Sequence, residues 1–189
     1  MKLIRKIDYN SPVVLTFVIL SFLVLIIDQK TGGMANLMLF SVYQSSMTDP
    51  FFYIRLFGHV LGHAGWEHYV NNMLLLLVVG PMLEEKYGSR KLLVMILLTA
   101  FVTGMVNLLF FQVRVLGASG IVFMMILLSS ITSMKEQRIP LTLILVAAAY
   151  MGNEITQGIV GQDNISQISH ITGGICGIIF GLVYQKKQI

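Results

Sequence analysis

Charge is what this chain has least of. Of its 189 residues, 12% are Asp, Glu, Lys or Arg while 56% are hydrophobic, too few charges to cover the surface of a soluble domain of this size. An ordinary soluble globule is excluded and a polytopic membrane protein is implied. Cysteine is limited to Cys176, so no internal disulfide can form and the redox state of the compartment cannot be read from it. Its place deep in the last apolar run suits a small core residue. Aspartate is missing from the interior of every apolar run, since Asp28 and Asp163 stand at their edges, which leaves no material for an intramembrane aspartyl pair. The zincin pattern H-E-x-x-H is also missing: His59 and His63 have helical i, i+4 spacing, but Val60 follows the first and no acid lies between them. No metal or cofactor is expected. No soluble domain, linker, low-complexity tract or internal repeat is visible, and a transporter would more naturally show inverted repeats and polar groups at the midplane. The net charge of +4 makes no case for nucleic acid; the lipid bilayer is the expected environment.

What the chain does contain is a series of apolar runs. A basic cap, Met1 to Lys6, precedes the run 13–27. No small-x-small cleavage site follows and Asp28-Gln29-Lys30 closes the run, so it reads as an uncleaved span rather than a signal peptide. Further spans are expected at about 68–83, 92–111, 119–133, 140–157 and 165–184, an all-α bundle of six helices forming one domain over 1–189. Between the first two lies an external loop, 28–67, too broken to span. Its half-apolar piece from Phe51 to Val60 and the single tryptophan, Trp66, suit the membrane interface. With the N-terminus in the cytoplasm, ten cations fall inside: Lys2, Arg5, Lys6, Lys86, Arg90, Lys91, Lys135, Arg138, Lys186 and Lys187. Only Lys30, Arg55 and Arg114 fall outside, an asymmetry that places both termini in the cytoplasm.

Ser119 sits between glycines in Gly117-Ala118-Ser119-Gly120 and opens an apolar run. The sixteen residues from Ser119 to Lys135 make about 24 Å of helix, short of the ~30 Å hydrocarbon core, so Ser119 should start below the membrane surface. His170 to Lys186 is the same count and gives the same depth. A hydroxyl and an imidazole at one level are the minimum for a nucleophile and its general base. Helix packing alone accounts for a serine among small residues; an intramembrane histidine more often marks a functional interior. His170 shares a face with Gly173, Gly177 and Gly181, each a turn from the next, and such a face admits another backbone closely.

His68 and Asn72, four residues apart, share a helix face near the external end of the second span. The lengths of helix from them to Lys86, about 27 and 21 Å, bracket the depth of the pair. Imidazole and amide donors there, with the backbone N–H of Ser119 at a helix start, suit an oxyanion.

Taken together, His63-x4-His68-x3-Asn72, Gly117-Ala118-Ser119-Gly120 and His170-x2-Gly173-x3-Gly177 in six spans resemble the rhomboid intramembrane serine proteases, over the stretch from about Arg55 to Gly181. The resemblance implies Ser119 as nucleophile, His170 as base, and the Ser119 amide, His68 and Asn72 as the oxyanion site. It also implies transmembrane protein substrates cut near the external end of their helix, and a bacterial inner membrane. His59, His63, Gly117, Gly120, Phe123, Gly173 and Gly177 become supporting residues, with Arg55 and the Gly80-x3-Glu84 segment structural. The chain departs from the family pattern in three places. Ile54-Arg55 stands for Trp-Arg, Phe123 for a tyrosine one turn after the serine, and Ser169-His170 for Ala-His. Phe123 can pack under the imidazole but cannot hydrogen-bond there. No acid is a clear third member, and Glu154 near the fifth span is expected to face solvent or a loop. The rival readings are a catalytically silent relative that binds membrane proteins and, more distantly, a zinc-dependent membrane protease.

Overall fold

The computed structural model describes residues 8–111, 113–132 and 164–185, with Leu141, Ile144, Leu145 and Ala148 as single helical positions. The rest of the expected span 140–157, Glu154 with it, lies outside the described residues. So do both terminal basic clusters and Lys135 and Arg138. The described chain is an all-α bundle: α1 (Pro12–Lys30), α2 (Met34–Met38), α3 (Pro50–Gly58), a 3-10 turn (His59–Leu61), α4 (Trp66–Tyr87), α5 (Ser89–Phe110), α6 (Ser119–Thr132) and α7 (Asn164–Gln185). By length and composition α1 and α5 can each cross a bilayer, and α6 and the 168–184 part of α7 are shorter apolar helices. Within the loop 28–67, the piece from Phe51 to Val60 falls in α3 and the 3-10 turn, and the short α2 precedes it.

Leu76, Leu83, Leu92, Met124, Met125 and Leu128 are fully buried at the centre, whereas Leu23, Leu74, Val78 and Leu98 are exposed on the outer faces. Apolar residues on both sides of a helix are what a bundle in lipid requires. The hydrogen-bonding residues are turned inward: Thr99, Thr103 and Asn107, one helical turn apart on α5, are all buried.

One contact explains how α1 is seated. The first amides of a helix have no intrahelical acceptor, and Ser11 makes no side-chain cap. Glu84 of α4 supplies the acceptors instead, Oε1 to the N–H of Val13 at 2.9 Å and Oε2 to that of Val14 at 3.0 Å. The approach depends on Gly80, one turn earlier, where a Cβ would lie 2.7 Å from Val14 Cγ2. A remote carboxylate therefore caps α1. At the same end of the bundle, Tyr87 Oη and Thr132 Oγ1 are 2.6 Å apart, and Lys91 Nζ stands over the Tyr184 ring.

Because each of these bonds has a charged acceptor, Glu84→Ala should cost about 2 kcal/mol, read as a lower midpoint in thermal or denaturant unfolding. Glu84→Gln should fall between. A wild-type midpoint in Glu84→Ala would show that α1 does not depend on the cap.

Candidate active site

The loop before α4 is held at three points. At the end of α1, Asp28 accepts from the backbone N–H of Asn36 and from its Nδ2, both at 2.7 Å. The same Nδ2 donates to the carbonyl of His63 at 3.0 Å. In the middle, Arg55 is buried on α3 and donates to Asp49 Oδ2 (2.7 Å), Ser45 Oγ (2.6 Å) and the Met38 carbonyl (3.3 Å), with Tyr43 on its guanidinium face. Asp49 also caps α3 through the N–H of Phe51. The bond from Arg55 holds its carboxyl below the usual range. At the third point, His59 Nδ1 donates to the Leu56 carbonyl, and Nε2 faces Thr103 Oγ1 of α5 at 3.3 Å.

His59 and His63 turn to different neighbours. Helix α3 ends at Gly58, the chain tightens into the 3-10 turn, and Gly62 is extended, so the i, i+4 spacing never lies on one α-helical face. His59 turns to α5. His63 Nδ1 donates to the Leu61 carbonyl, and its ring meets His68 edge-on at 5.0 Å and Tyr69 at 5.5 Å. Among the described residues no three His, Cys, Asp or Glu side chains converge on a common point.

His68 lies in the first turn of α4, which starts at Trp66 after an extended Gly65. The Ala64 N–H points at its Nδ1, 3.4 Å away. An accepting Nδ1 favours the tautomer protonated at Nε2, and Nε2 rests against Gly117. A Cβ on Gly117 would come within 2.8 Å of it, and the backbone there has φ +133°, which disfavours any side chain. The Gly117 N–H is bonded in turn to the His59 carbonyl at 2.9 Å. One turn along α4, Asn72 is buried, with Nδ2 donating to the His68 carbonyl at 2.8 Å.

Ser119 opens α6 and is 8% exposed; His170 on α7 is 7% exposed. The two helices meet backbone to backbone. A Cβ on Gly173 would fall on the carbonyl of Gly120, one on Gly177 on the carbonyl of Met124, and one on Gly181 within 2.7 Å of Ile131. From the other side, a Cβ on Gly120 would touch the Ser169 carbonyl at 3.3 Å and Thr103 at 3.2 Å. The residue after Ser119 is thus packed on the residue before His170. The Phe123 ring, one turn after Ser119, is stacked on the imidazole at 4.4 Å with 12° between planes. The arrangement sets a buried hydroxyl at a helix start, an imidazole held flat by an aromatic face, and a second imidazole with an amide nearby.

The family model described as Rhomboid domain matches residues 50–187. The chain belongs to the rhomboid family. RHOMBOID-like protein 4 of Arabidopsis thaliana is 30% identical over 129 residues, which cover 64% of this chain and 31% of that protein. The chain thus spans under a third of the length of this curated relative. The described all-α bundle, apolar at its centre and on its outer faces, is that of a rhomboid membrane protein.

Several rhomboid residues that position the site went unread in the sequence: Asp28, Asn36, Asp49, Thr103 and Asn107. Asn107 Nδ2 bonds to the Val113 carbonyl at 2.8 Å, bracing the segment that leads to Gly117. A signal existed for the α5 pair, since Thr99, Thr103 and Asn107 recur every four residues in a run otherwise apolar. Asp28 and Asn36 carried none, because an eight-residue separation across Gly32-Gly33 has no helical or strand period.

Burial pushes the imidazoles of His59 and His63 down from 6.5 to about 4 and about 3, with the neighbouring His68 contributing at His63. The unfolded chain takes up these protons near 6.5 and the folded one does not. Stability is therefore complete above about pH 6.5 and falls as pH drops toward 4, by up to ~1.4 kcal/mol per pH unit for each group. Unfolding midpoints at pH 7.5 and 5 should show the loss, and His59→Gln should lessen it. Equal midpoints at the two pH values would show that these histidines are not held neutral.

Proposed function

We propose that this rhomboid is an intramembrane serine endopeptidase with six spans and both termini in the cytoplasm of a bacterial cell, acting through a Ser119–His170 dyad. The observation that carries the reading is the seating of Gly173 on the Gly120 backbone with His170 stacked on Phe123. In the reaction, Ser119 Oγ attacks the substrate carbonyl while His170 takes its proton. The oxyanion is stabilised by the Ser119 N–H, His68 Nε2–H and the Asn72 amide. Collapse breaks the C–N bond, His170 returns the proton to the leaving amine, and water, deprotonated by His170, then releases the acyl group from Ser119. Arg55, Glu84, His59 and His63 act on this chemistry only by holding the loop, α1 and His68 in place.

Nucleophile and base act as a unit, so Ser119→Ala and His170→Ala should each abolish cleavage of a model transmembrane substrate, with the double variant little worse than either. Asn72→Ala should leave the fold intact and lower turnover roughly ten- to a thousandfold, as for other oxyanion donors. Binding of the substrate without cleavage by the wild-type protein would instead support the catalytically silent reading. Activity lost to chelation but kept in Ser119→Ala would support the zinc-dependent one.

Ser119 should lie some 6 Å inside the external boundary, from the ~24 Å of helix against ~30 Å of core. The bond cut should therefore lie near the external end of the substrate helix. Helical carbonyls are hydrogen-bonded until the segment extends, which favours substrates with Gly or Pro just inside that boundary. A substrate carrying Gly-Pro at the external end should be cut faster than one with Leu-Leu there, by product mass. Cleavage at the cytoplasmic end would contradict both depth and topology.

A further inference from the structure

Phe123 supports the imidazole of His170, and the packing of Phe123 draws on a helix that carries neither reacting group. Stacking of two rings contributes less than burial of a large aromatic side chain, so packing decides where the Phe123 ring lies and the imidazole follows it. Among the described residues, Phe123 shares a buried cluster with Val122 and Ile126 of α6 and Leu75 of α4. The cluster stands apart from the central one, with Leu127 partly buried against it. Leu75 is what α4 contributes to it.

The imidazole occupies one face of the ring, 4.4 Å away and 12° from parallel. Four residues further along both helices, a Cβ on Gly174 would meet Leu127 Cδ1 at 3.5 Å, an ordinary contact, so α6 and α7 continue side by side beyond the stack. That leaves the edge and the other face of the ring for the cluster. On α4, His68, Asn72 and Leu75 are four and then three residues apart, which keeps them on one face. The next residue, Leu76, turns into the central cluster and is fully buried there. One face of α4 therefore carries the two groups assigned to the oxyanion and, one turn further along, the side chain packed with the ring that supports the base.

We propose that Leu75 is a positioning residue, which holds the Phe123 ring against His170 and so fixes how the imidazole is presented to Ser119. Its effect on turnover rests on the Ser119–His170 reading; its effect on the stack does not. Truncation of Leu75 opens a space beside the ring, and the ring turns into that space with both reacting side chains unaltered. Helix α4 then governs both halves of the site, the oxyanion groups directly and the base through Phe123.

The test uses the full chain in detergent with its four histidines carrying carbon-13 at Cε1, at about pH 8, above the ordinary imidazole range. His170→Ala identifies the His170 signal by its loss. In the wild type the Phe123 ring current should shift the His170 Hε1 resonance upfield, and Phe123→Leu gives its unstacked position. Leu75→Ala should move the signal most of the way to that position, while Leu75→Met, which keeps the volume, should leave it in place. If Leu75→Ala does not fold, the smaller truncation Leu75→Val takes its place. Leu76→Ala is the structural control: it should lower the unfolding midpoint at least as much as Leu75→Ala and leave the His170 signal where it is. On a model transmembrane substrate, Leu75→Ala should lower kcat roughly ten- to a hundredfold with KM nearly unchanged, as for a displaced reacting group, and Leu75→Met should restore it. An unmoved His170 signal or a wild-type kcat in Leu75→Ala, or an equal displacement of the signal in Leu76→Ala, would overturn the proposal. A wild type that cleaves nothing would end the protease reading alone, since the His170 signal still decides the part played by Leu75.

Discussion

The contact on which the rest of this structure depends is that of two backbones, α6 and α7, touching at Gly120 and Gly173. A side chain at Gly173 would have to occupy space already held by the Gly120 main chain, while one at Gly120 would press on Thr103 and the Ser169 carbonyl, so the approach that sets the start of α6 against the turn of α7 carrying His170 needs glycine at 173. The same contact repeats one turn on, at Gly177 and Met124, which sets the helices in register rather than at one crossing point. In lipid there is little hydrophobic drive to bring helices together, and close packing of small residues takes its place. Geometry for the proposed chemistry and stability of the bundle thus come from the same atoms.

Everything else converges on the ground in front of that contact. Gly117 is tied to the His59 carbonyl, His59 to α5, Asn36 to both Asp28 and His63, and the His63 ring stands against His68. A chain of neutral and charged hydrogen bonds thus runs from the end of α1, through an irregular loop, to the imidazole that faces the start of α6. Buried backbone of this kind needs partners for its polar groups, and Asn36, Arg55, His59 and His63 each bond to a main-chain carbonyl of the loop. Glu84 does the same at the opposite end, where it replaces the missing cap of α1.

The parts legible in the sequence were those with a period or a short spacing. The Gly173, Gly177, Gly181 face, the four-residue step from His68 to Asn72 and the serine at a helix start each announce themselves along one element. The interior of the loop did not. Phe51 to Val60 read as a half-apolar interfacial piece, and its actual organisation comes from Arg55 reaching Asp49, Ser45 and Met38, contacts across the loop that no helical or strand period encodes. Helix α4 was read from His68 but begins at Trp66, because an extended Gly65 starts it two residues earlier. The polar step of Thr99, Thr103 and Asn107 was in plain view and was masked by the apolar residues around it.

The claim that Ser119 and His170 form one unit because two backbones meet is tested most directly by the rate at which a fluorophosphonate modifies Ser119 in the purified, folded protein. The account predicts rapid modification of the wild type and near-complete loss in His170→Ala. It also predicts near-complete loss in Gly173→Val, where the helices are forced apart although both reacting side chains remain. Modification of folded Gly173→Val at the wild-type rate would contradict it.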